Sequence, residues 1–410
     1  MFINSSARIS PLPLKRNIKT LFLSPCTANE VKVICSKLSN SKACGNDEIM
    51  PQVLKESIKF TCNFFAGLIN EMFTSGIFPE VLKEAKVTPI FKKGDASFFA
   101  NYRPISVLNF ASKILEKSLC TRIVQFLEKT NVLNCSQYGF RKNHLPVSAI
   151  SMFLEKLHQA LDKGEPCIAL FLDIAKAFDS INYPILHEKL EAAGIRGISL
   201  DLVKDYLKNR KQSVYFENVQ SKENTVTCRV PQGSIIGPIL FILYINDLCE
   251  VCPTFEKLLF ADDSTLFKAG KDLDSLIDAT NSELCALEEW IKANKLKLNV
   301  EKSHWICFSK QIQKTDKAIK LNKLQVRRES STSFLGVVLD EKLRWQDQIH
   351  KVATKISQMA GVLSKLRKTL PLSILTTVYT ATVQPHLQYC LAAWGSGDLH
   401  PLKVAQNRVL

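Results

Sequence analysis

Three carboxylates stand where an acid is costly. Asp173 ends the run 167–172 (Cys-Ile-Ala-Leu-Phe-Leu), which is continuously apolar and reads as a buried central strand. Asp262 and Asp263 fall between the apolar runs 258–260 and 265–267, the pattern of a hairpin with an acidic turn. A carboxylate in such surroundings needs compensation, and a bound divalent metal is one form of it. Two Mg²⁺ ions about 3.5–4 Å apart can activate a hydroxyl and stabilise a leaving pyrophosphate. Mg²⁺ takes oxygen ligands, usually one or two carboxylates plus substrate phosphates. Asp173 with Asp262 would supply that set if strand end and turn meet. Taken alone, an Asp-Asp turn is more often a solvated loop.

The elements that must position these acids can be read from pattern. Thr27 and Glu30 have capping-box spacing ahead of a helix carrying Val31, Ile34 and Leu38. Pro51 opens a second helix, with Leu54, Ile58, Phe65, Leu68 and Met72 on one side, closed by Gly76. A strand is expected over 87–91. A helix capped by Ser112 should follow, then another over 147–161. Further helices are expected over 184–193, ended by Gly194, over 199–209 with Ser199 as cap, and over 238–248 from Pro238. Strands are expected over 213–216 and 225–230. After the hairpin come a long helix over 273–293 and short strands near 296–299, 305–308 and 334–339. Ile349, Val352, Ile356, Met359, Leu363, Leu366 and Leu370 keep a helical period until Pro371, and a last helix covers 372–383. Helices and strands interleave without strict alternation, which favours α+β over a doubly wound sheet.

Composition bounds the partners. The chain has 410 residues, 46% apolar and 23% charged, enough for a sizeable core. Its net charge of +15 favours a polyanion, either nucleic acid or an anionic membrane. No secretory signal opens the sequence, and the longest apolar run, 235–245, is too short to span a bilayer and contains Gly237 and Pro238. No membrane partner is therefore expected. Thirteen scattered cysteines read as free thiols in a reducing compartment, and the Cys249/Cys252 pair lacks the second pair a zinc site needs.

The ordered motifs resemble the reverse transcriptases of non-LTR retrotransposons of the jockey-like and CR1-like kind. Residues 86–95 (Lys-Val-Thr-Pro-Ile-Phe-Lys-Lys-Gly-Asp) with 101–106 (Asn-Tyr-Arg-Pro-Ile-Ser) are similar to the first fingers motif, and 136–141 (Ser-Gln-Tyr-Gly-Phe-Arg) to the second. Residues 171–179 (Phe-Leu-Asp-Ile-Ala-Lys-Ala-Phe-Asp) resemble motif A. Residues 230–238 (Val-Pro-Gln-Gly-Ser-Ile-Ile-Gly-Pro), running into 244–247 (Tyr-Ile-Asn-Asp), resemble motif B. Residues 260–263 (Phe-Ala-Asp-Asp) resemble motif C and 296–303 (Leu-Lys-Leu-Asn-Val-Glu-Lys-Ser) motif D. Phe334-Leu-Gly336 and Trp345 resemble the approach to the thumb.

The resemblance implies an RNA-directed DNA polymerase: an α+β right-hand fold with an antiparallel palm sheet and a helical thumb. Residues 1–40 would be a lead-in with the first helix, about 41–165 fingers, 166–340 palm and 341–410 thumb. Asp173, Asp262 and Asp263 would be the metal site for two Mg²⁺ ions, with Mn²⁺ as a substitute, and Asp263 would act mainly as support. Lys92 or Lys93 and Arg103 would hold the triphosphate of a dNTP, as point charge and planar fork. Gln232 and Gly233 would line the incoming base pair. Lys302 would protonate or neutralise pyrophosphate. Phe178 stands where the family carries an aromatic gate against a 2′-hydroxyl; without the resemblance it reads as core. The partners would be an RNA template and a DNA primer, and the place of action nuclear. Residues 341–410, with nine Lys/Arg against three Asp/Glu, suit a grip on their backbones.

Departures touch no metal ligand. Asn182 and Tyr183 replace an acid and a histidine, Leu145 and Pro146 a hydroxyl pair, and Arg229 a glycine. Only about forty residues precede the match, and the sequence stops within the thumb-like segment, so a truncated piece of a larger element is expected. Two rivals remain: an RNA-dependent RNA polymerase, against which Phe178 argues, and a nucleic-acid-binding remnant without catalysis.

Overall fold

An apolar run that ends in an acid can pair on both edges only inside a sheet, and that is where the run leading to Asp173 lies. The computed structural model describes residues 14–39, 44–217, 219–226, 228–311 and 314–409; residues 1–13 and 40 of the lead-in expected over 1–40, and the start of the expected fingers at 41, lie outside them. In chain order the principal strands are β1 (Glu84–Phe91), β2 (Tyr102–Leu108), β3 (Cys167–Asp173), β4 (Lys211–Phe216), β5 (Glu256–Phe260), β6 (Asp263–Ala269), β7 (His304–Phe308), β8 (Ser331–Phe334) and β9 (Val337–Asp340).

The chain forms two compact units from interleaved segments: Met1–Phe140 with Ile174–Val251 and Glu289–Lys297, and Arg141–Asp173 with Cys252–Glu288 and Leu298–Leu410. In the second unit a five-stranded sheet runs in the order Arg327–Arg328, β7, β3, β6, β5. β3 is central, antiparallel to β6 on one side and β7 on the other. The expected antiparallel sheet is thus seen, apart from the parallel pairing of the short Arg327–Arg328 strand with β7. Phe153, on the helix Pro146–Asp162, packs its ring against Phe171, Phe267 at 4.8 Å, Phe308 and Phe334. That aromatic cluster, together with Ile168 and Leu170 buried on β3, anchors the strand that ends at Asp173. The helix Gln346–Leu366 buries Ile349, Val352, Ile356 and Leu363, as its period predicts, and four shorter helices follow it.

The first unit pairs β1 with β2 as an antiparallel hairpin and with β4 in parallel. Helices surround it. Thr27 caps the helix Ala28–Lys37 by accepting from Glu30 N–H at 3.2 Å. Gly76 closes Pro51–Ser75 in the left-handed conformation. The buried Lys83 pairs with Asp205 at 2.9 Å, and the buried Lys189 with Asp247 at 2.6 Å.

Five local expectations are corrected. Ser112 is not a cap: the helix starts at Phe110, and the buried Ser112 hydroxyl donates to Glu116. Ser199 lies inside the helix Ile198–Leu207 and donates to the Arg196 carbonyl, with Gly197 at the cap. The strand over 225–230 reduces to the pair Asn224–Thr225 on β4. The strand over 296–299 reduces to an isolated bridge at Leu298. The strand over 334–339 is a hairpin, β8 and β9, turned at Leu335 and Gly336. Among the described residues no helix is long and apolar enough to cross a membrane.

Candidate active site

The pairing of β3 with β6 places Asp173 directly opposite Asp263. Directly opposed residues of an antiparallel pair share a face, with Cβ atoms about 4.5–5.5 Å apart. β5 and β6 close on each other through Phe260 and Asp263, leaving Ala261 and Asp262 as a two-residue loop. Ala261 takes φ 59°, the left-handed conformation such loops demand. The acidic turn is thus held tightly: apolar strands on both sides set its register, and a one-residue slip would turn Asp263 to the other face.

Asp173 is held by its main chain as well as by the sheet. Its N–H donates to the Ser303 hydroxyl at 3.1 Å, its carbonyl accepts from Asn299 N–H at 2.8 Å, and the Ser303 hydroxyl donates to the Asn299 carbonyl at 2.8 Å. Ser303 is fully buried. The segment 299–303 therefore clamps both backbone groups of Asp173. Nothing local in the sequence marked Ser303 or Asn299 for this role; a buried serine at the end of the motif D match was the available signal.

Burial of the carboxyl, then the like charges of Asp262 and Asp173, push Asp263 up to about 6, although the residue remains open to solvent at the rim of the turn. Lys302 is brought to the same place: it lines a cavity of about 180 Å³ with Asp173, Asp263 and His304. Among the described residues no group of three or more His, Cys, Asp or Glu is gathered tightly enough to hold a metal by protein ligands alone. Two neighbouring carboxylates and one on the turn, all oxygen donors, fit Mg²⁺, which draws its remaining ligands from phosphate and water.

The other predicted residues lie in the first unit. Pairing Ile90 with Arg103, and Lys92 N–H donating to the Asn101 carbonyl at 2.9 Å, put Lys92 and Arg103 on one face of the β1–β2 hairpin. Both are exposed, and among the described residues neither forms an ion pair. Gly233 lies against β2 from the other side: Ser106 N–H donates to the Gln232 carbonyl at 2.7 Å, and a Cβ on Gly233 would come within 2.4 Å of the Ser106 carbonyl oxygen. Its φ of 121° admits glycine alone without strain. Gln232 and Gly233 are thus together, while the pleat keeps Lys92 and Arg103 on the opposite face of the hairpin. Phe178 is half-buried, its ring 4.6 Å from that of Phe241 and 6.3 Å from that of Phe140. Both readings of Phe178 keep a footing: its ring packs, and part of the residue stays exposed.

A family model described as reverse transcriptase (RNA-dependent DNA polymerase) matches residues 90–339. The chain is 29% identical over 397 residues to the probable RNA-directed DNA polymerase from transposon X-element of Drosophila melanogaster, covering 94% of this chain and 43% of that protein. It is 26% identical over 406 residues to the RNA-directed DNA polymerase from mobile element jockey of the same species, covering 95% of this chain and 44% of that protein. With the jockey polymerase of Drosophila funebris the identity is 27% over 401 residues, covering 94% of this chain and 43% of that one. The chain spans less than half the length of these relatives.

Proposed function

Because this chain belongs to the reverse transcriptase (RNA-dependent DNA polymerase) family, we propose that it adds deoxynucleoside monophosphates to a primer 3′-hydroxyl, directed by an RNA template, and releases pyrophosphate. The observation that carries this reading is the register of β3 with β6, which sets Asp173 beside Asp263 with Asp262 on the adjoining turn. The division into fingers (about 41–165), palm (166–340) and thumb (341–410), and an origin in a non-LTR element, belong to the same proposal.

The family uses divalent metal ions. Here the ions proposed are two Mg²⁺, with Mn²⁺ as a substitute, held by Asp173 and Asp262 and supported by Asp263. Bound there, they supply Lewis-acid activation of the 3′-hydroxyl and charge neutralisation on the leaving pyrophosphate. The chain's own groups do the rest. Lys92 and Arg103 grip the triphosphate, as a compact charge and a two-pronged donor. Gln232 and Gly233 border the incoming base pair, and the glycine leaves room for close approach. The Phe178 ring fills the space a 2′-hydroxyl would need. Lys302, which lines a cavity with Asp173 and Asp263, neutralises the leaving pyrophosphate.

Primer extension on poly(rA)–oligo(dT) with Mg²⁺ or Mn²⁺ tests this, comparing the wild type with Asp262→Ala. Extension by the wild type and its loss in the variant are expected. Silence from both, with the hybrid still bound, would replace the polymerase by a nucleic-acid-binding remnant. Preferential use of NTPs would replace it by an RNA polymerase.

A further inference from the structure

Arg210 links the helix Ile198–Leu207 to β4 and is 1% exposed. Its guanidinium lies over the Tyr206 ring at 4.7 Å, and Nη1 donates to the Tyr206 carbonyl at 3.2 Å. Among the described residues, Nε and Nη2 have no hydrogen-bond partner. The nearby buried acid does not supply one. Glu116 is fully buried, and its oxygens accept from the Tyr206 hydroxyl at 3.0 Å, the Ser112 hydroxyl at 3.2 Å and Ile235 N–H at 2.7 Å. A guanidinium is always charged and has no acceptor function, so two bare donors on it inside a protein call for an acceptor.

These donors belong to a side chain that lines a cavity of about 160 Å³, shared with Lys211, Arg229, Asp179, Gln232 and Ser106. Lys211 is paired with Glu223 at 2.8 Å, and Arg229 with Asp179 at 3.9 Å. Lys211 and Arg229 thus each face a carboxylate and are partly exposed, whereas Arg210 is buried with two unpartnered donors. The space would hold several waters at about 30 Å³ each, which a tetrahedral oxyanion could displace. The cavity is not the grip of Lys92 and Arg103: Val87, Pro104 and Ser106 face it, and the pleat turns Lys92 and Arg103 to the opposite face of the hairpin.

We propose that this cavity is a phosphate site built on the Arg210 fork, and that it takes one backbone phosphate of the RNA template beside Gln232. The proposal rests on the polymerase reading for the identity of the strand, and on the orphaned donors for the site itself. The same chemistry would admit free inorganic phosphate or pyrophosphate, and the test separates the sources.

The test uses the full chain and a labelled RNA–DNA hybrid, either blunt or with a single-stranded template overhang. Binding is measured by fluorescence anisotropy across a salt series for the wild type, Arg210→Gln and Arg210→Lys. The lysine variant keeps the charge near Glu116 and loses the fork, so it remains informative if the glutamine variant fails to fold. Affinity for the overhang should fall about tenfold, as for one charge-assisted contact. In Arg210→Gln the slope of log K against log salt should become shallower by roughly 0.7, the value for one single-strand phosphate. The blunt hybrid should bind unchanged. If instead millimolar inorganic phosphate raises the melting temperature of the wild type but not of the variants, and the overhang makes no difference, the anion site stands and the template assignment is overturned. Equal affinities, slopes and phosphate responses in wild type and folded variants overturn the site. A wild type that binds the overhang through Arg210 yet extends no primer would sink the polymerase reading alone.

Discussion

Asp173 on β3 and Asp263 on β6 are register partners, so two carboxylates stand on one face at the end of a sheet whose interior strands are apolar. A carboxylate beside like charges is disfavoured in its ionised form, and at Asp263 burial adds to that. The Asp263 carboxyl, raised to about 6 by burial and by Asp262 and Asp173, binds its proton more tightly folded than unfolded. An acid raised in this way adds no penalty below its unfolded value of 3.8 and costs stability as pH climbs from there through about 6. Asp263→Asn should therefore stabilise the metal-free chain at pH 7.5 by about 1 kcal/mol, after discounting for solvent screening, and do nothing at pH 3.5. Urea unfolding at the two pH values reads this; equal shifts at both would contradict it.

The clamp on Asp173 makes Ser303 a positioning residue. Ser303→Ala leaves the Asp173 N–H without its acceptor, a loss of about 1–3 kcal/mol, while the Asn299 carbonyl keeps the Lys302 and Ser303 N–H donors. Stability should drop by that order. If the clamp also aims the carboxylate, kcat should fall severalfold with KM for dNTP little changed. A loss of stability with kcat intact would leave Ser303 a purely structural group.

Much of the frame was legible because its signals are local. The helix Leu273–Ala293 runs where its pattern predicts, and the apolar run into Asp173 is the central strand. What escaped depends on distant partners. Ser112 and Ser199 have the residue type of a cap, but their hydroxyls are taken by Glu116 and the Arg196 carbonyl. β2 is not expected from the sequence: Pro104 lies within it, and its pairing with β1 holds it as a strand. The Asn299–Ser303 clamp spans 130 residues in sequence, a relation no spacing encodes.

Glu30 and Arg122 tie the first helix to the helix Phe110–Lys129. Both guanidinium nitrogens of the fork reach the Glu30 carboxylate, and Arg122 also donates to the Ser24 and Pro25 carbonyls at 2.9 and 3.0 Å. The bond from Arg122 holds Glu30 below its usual 4.5. Stability from a lowered carboxylate is full above the unfolded value and is lost as pH falls through the folded one. Glu30→Gln should thus cost about 2 kcal/mol at pH 7, since it leaves a buried guanidinium without its counter-charge. The difference from wild type should narrow as pH falls below 4.5. Urea midpoints from pH 7 to 3 test both size and direction.

Phe178 decides between packing and selection. Its ring rests 4.6 Å from that of Phe241, and the residue is only half-buried, so Phe178→Ala should cost less than a full core truncation, about 2 kcal/mol. That loss alone would make it core. A ring that also fills the space of a 2′-hydroxyl predicts a second effect, because shortening it opens room of that size. Steric rejection of one small group is worth about 1–3 kcal/mol, so the preference for dNTP over NTP should fall roughly 10–100-fold. Phe178→Tyr keeps the ring and should keep the preference. Single-nucleotide incorporation with matched dNTP and NTP gives the ratio, and unfolding gives the stability. A destabilised Phe178→Ala whose sugar preference equals that of the wild type would return the residue to the core.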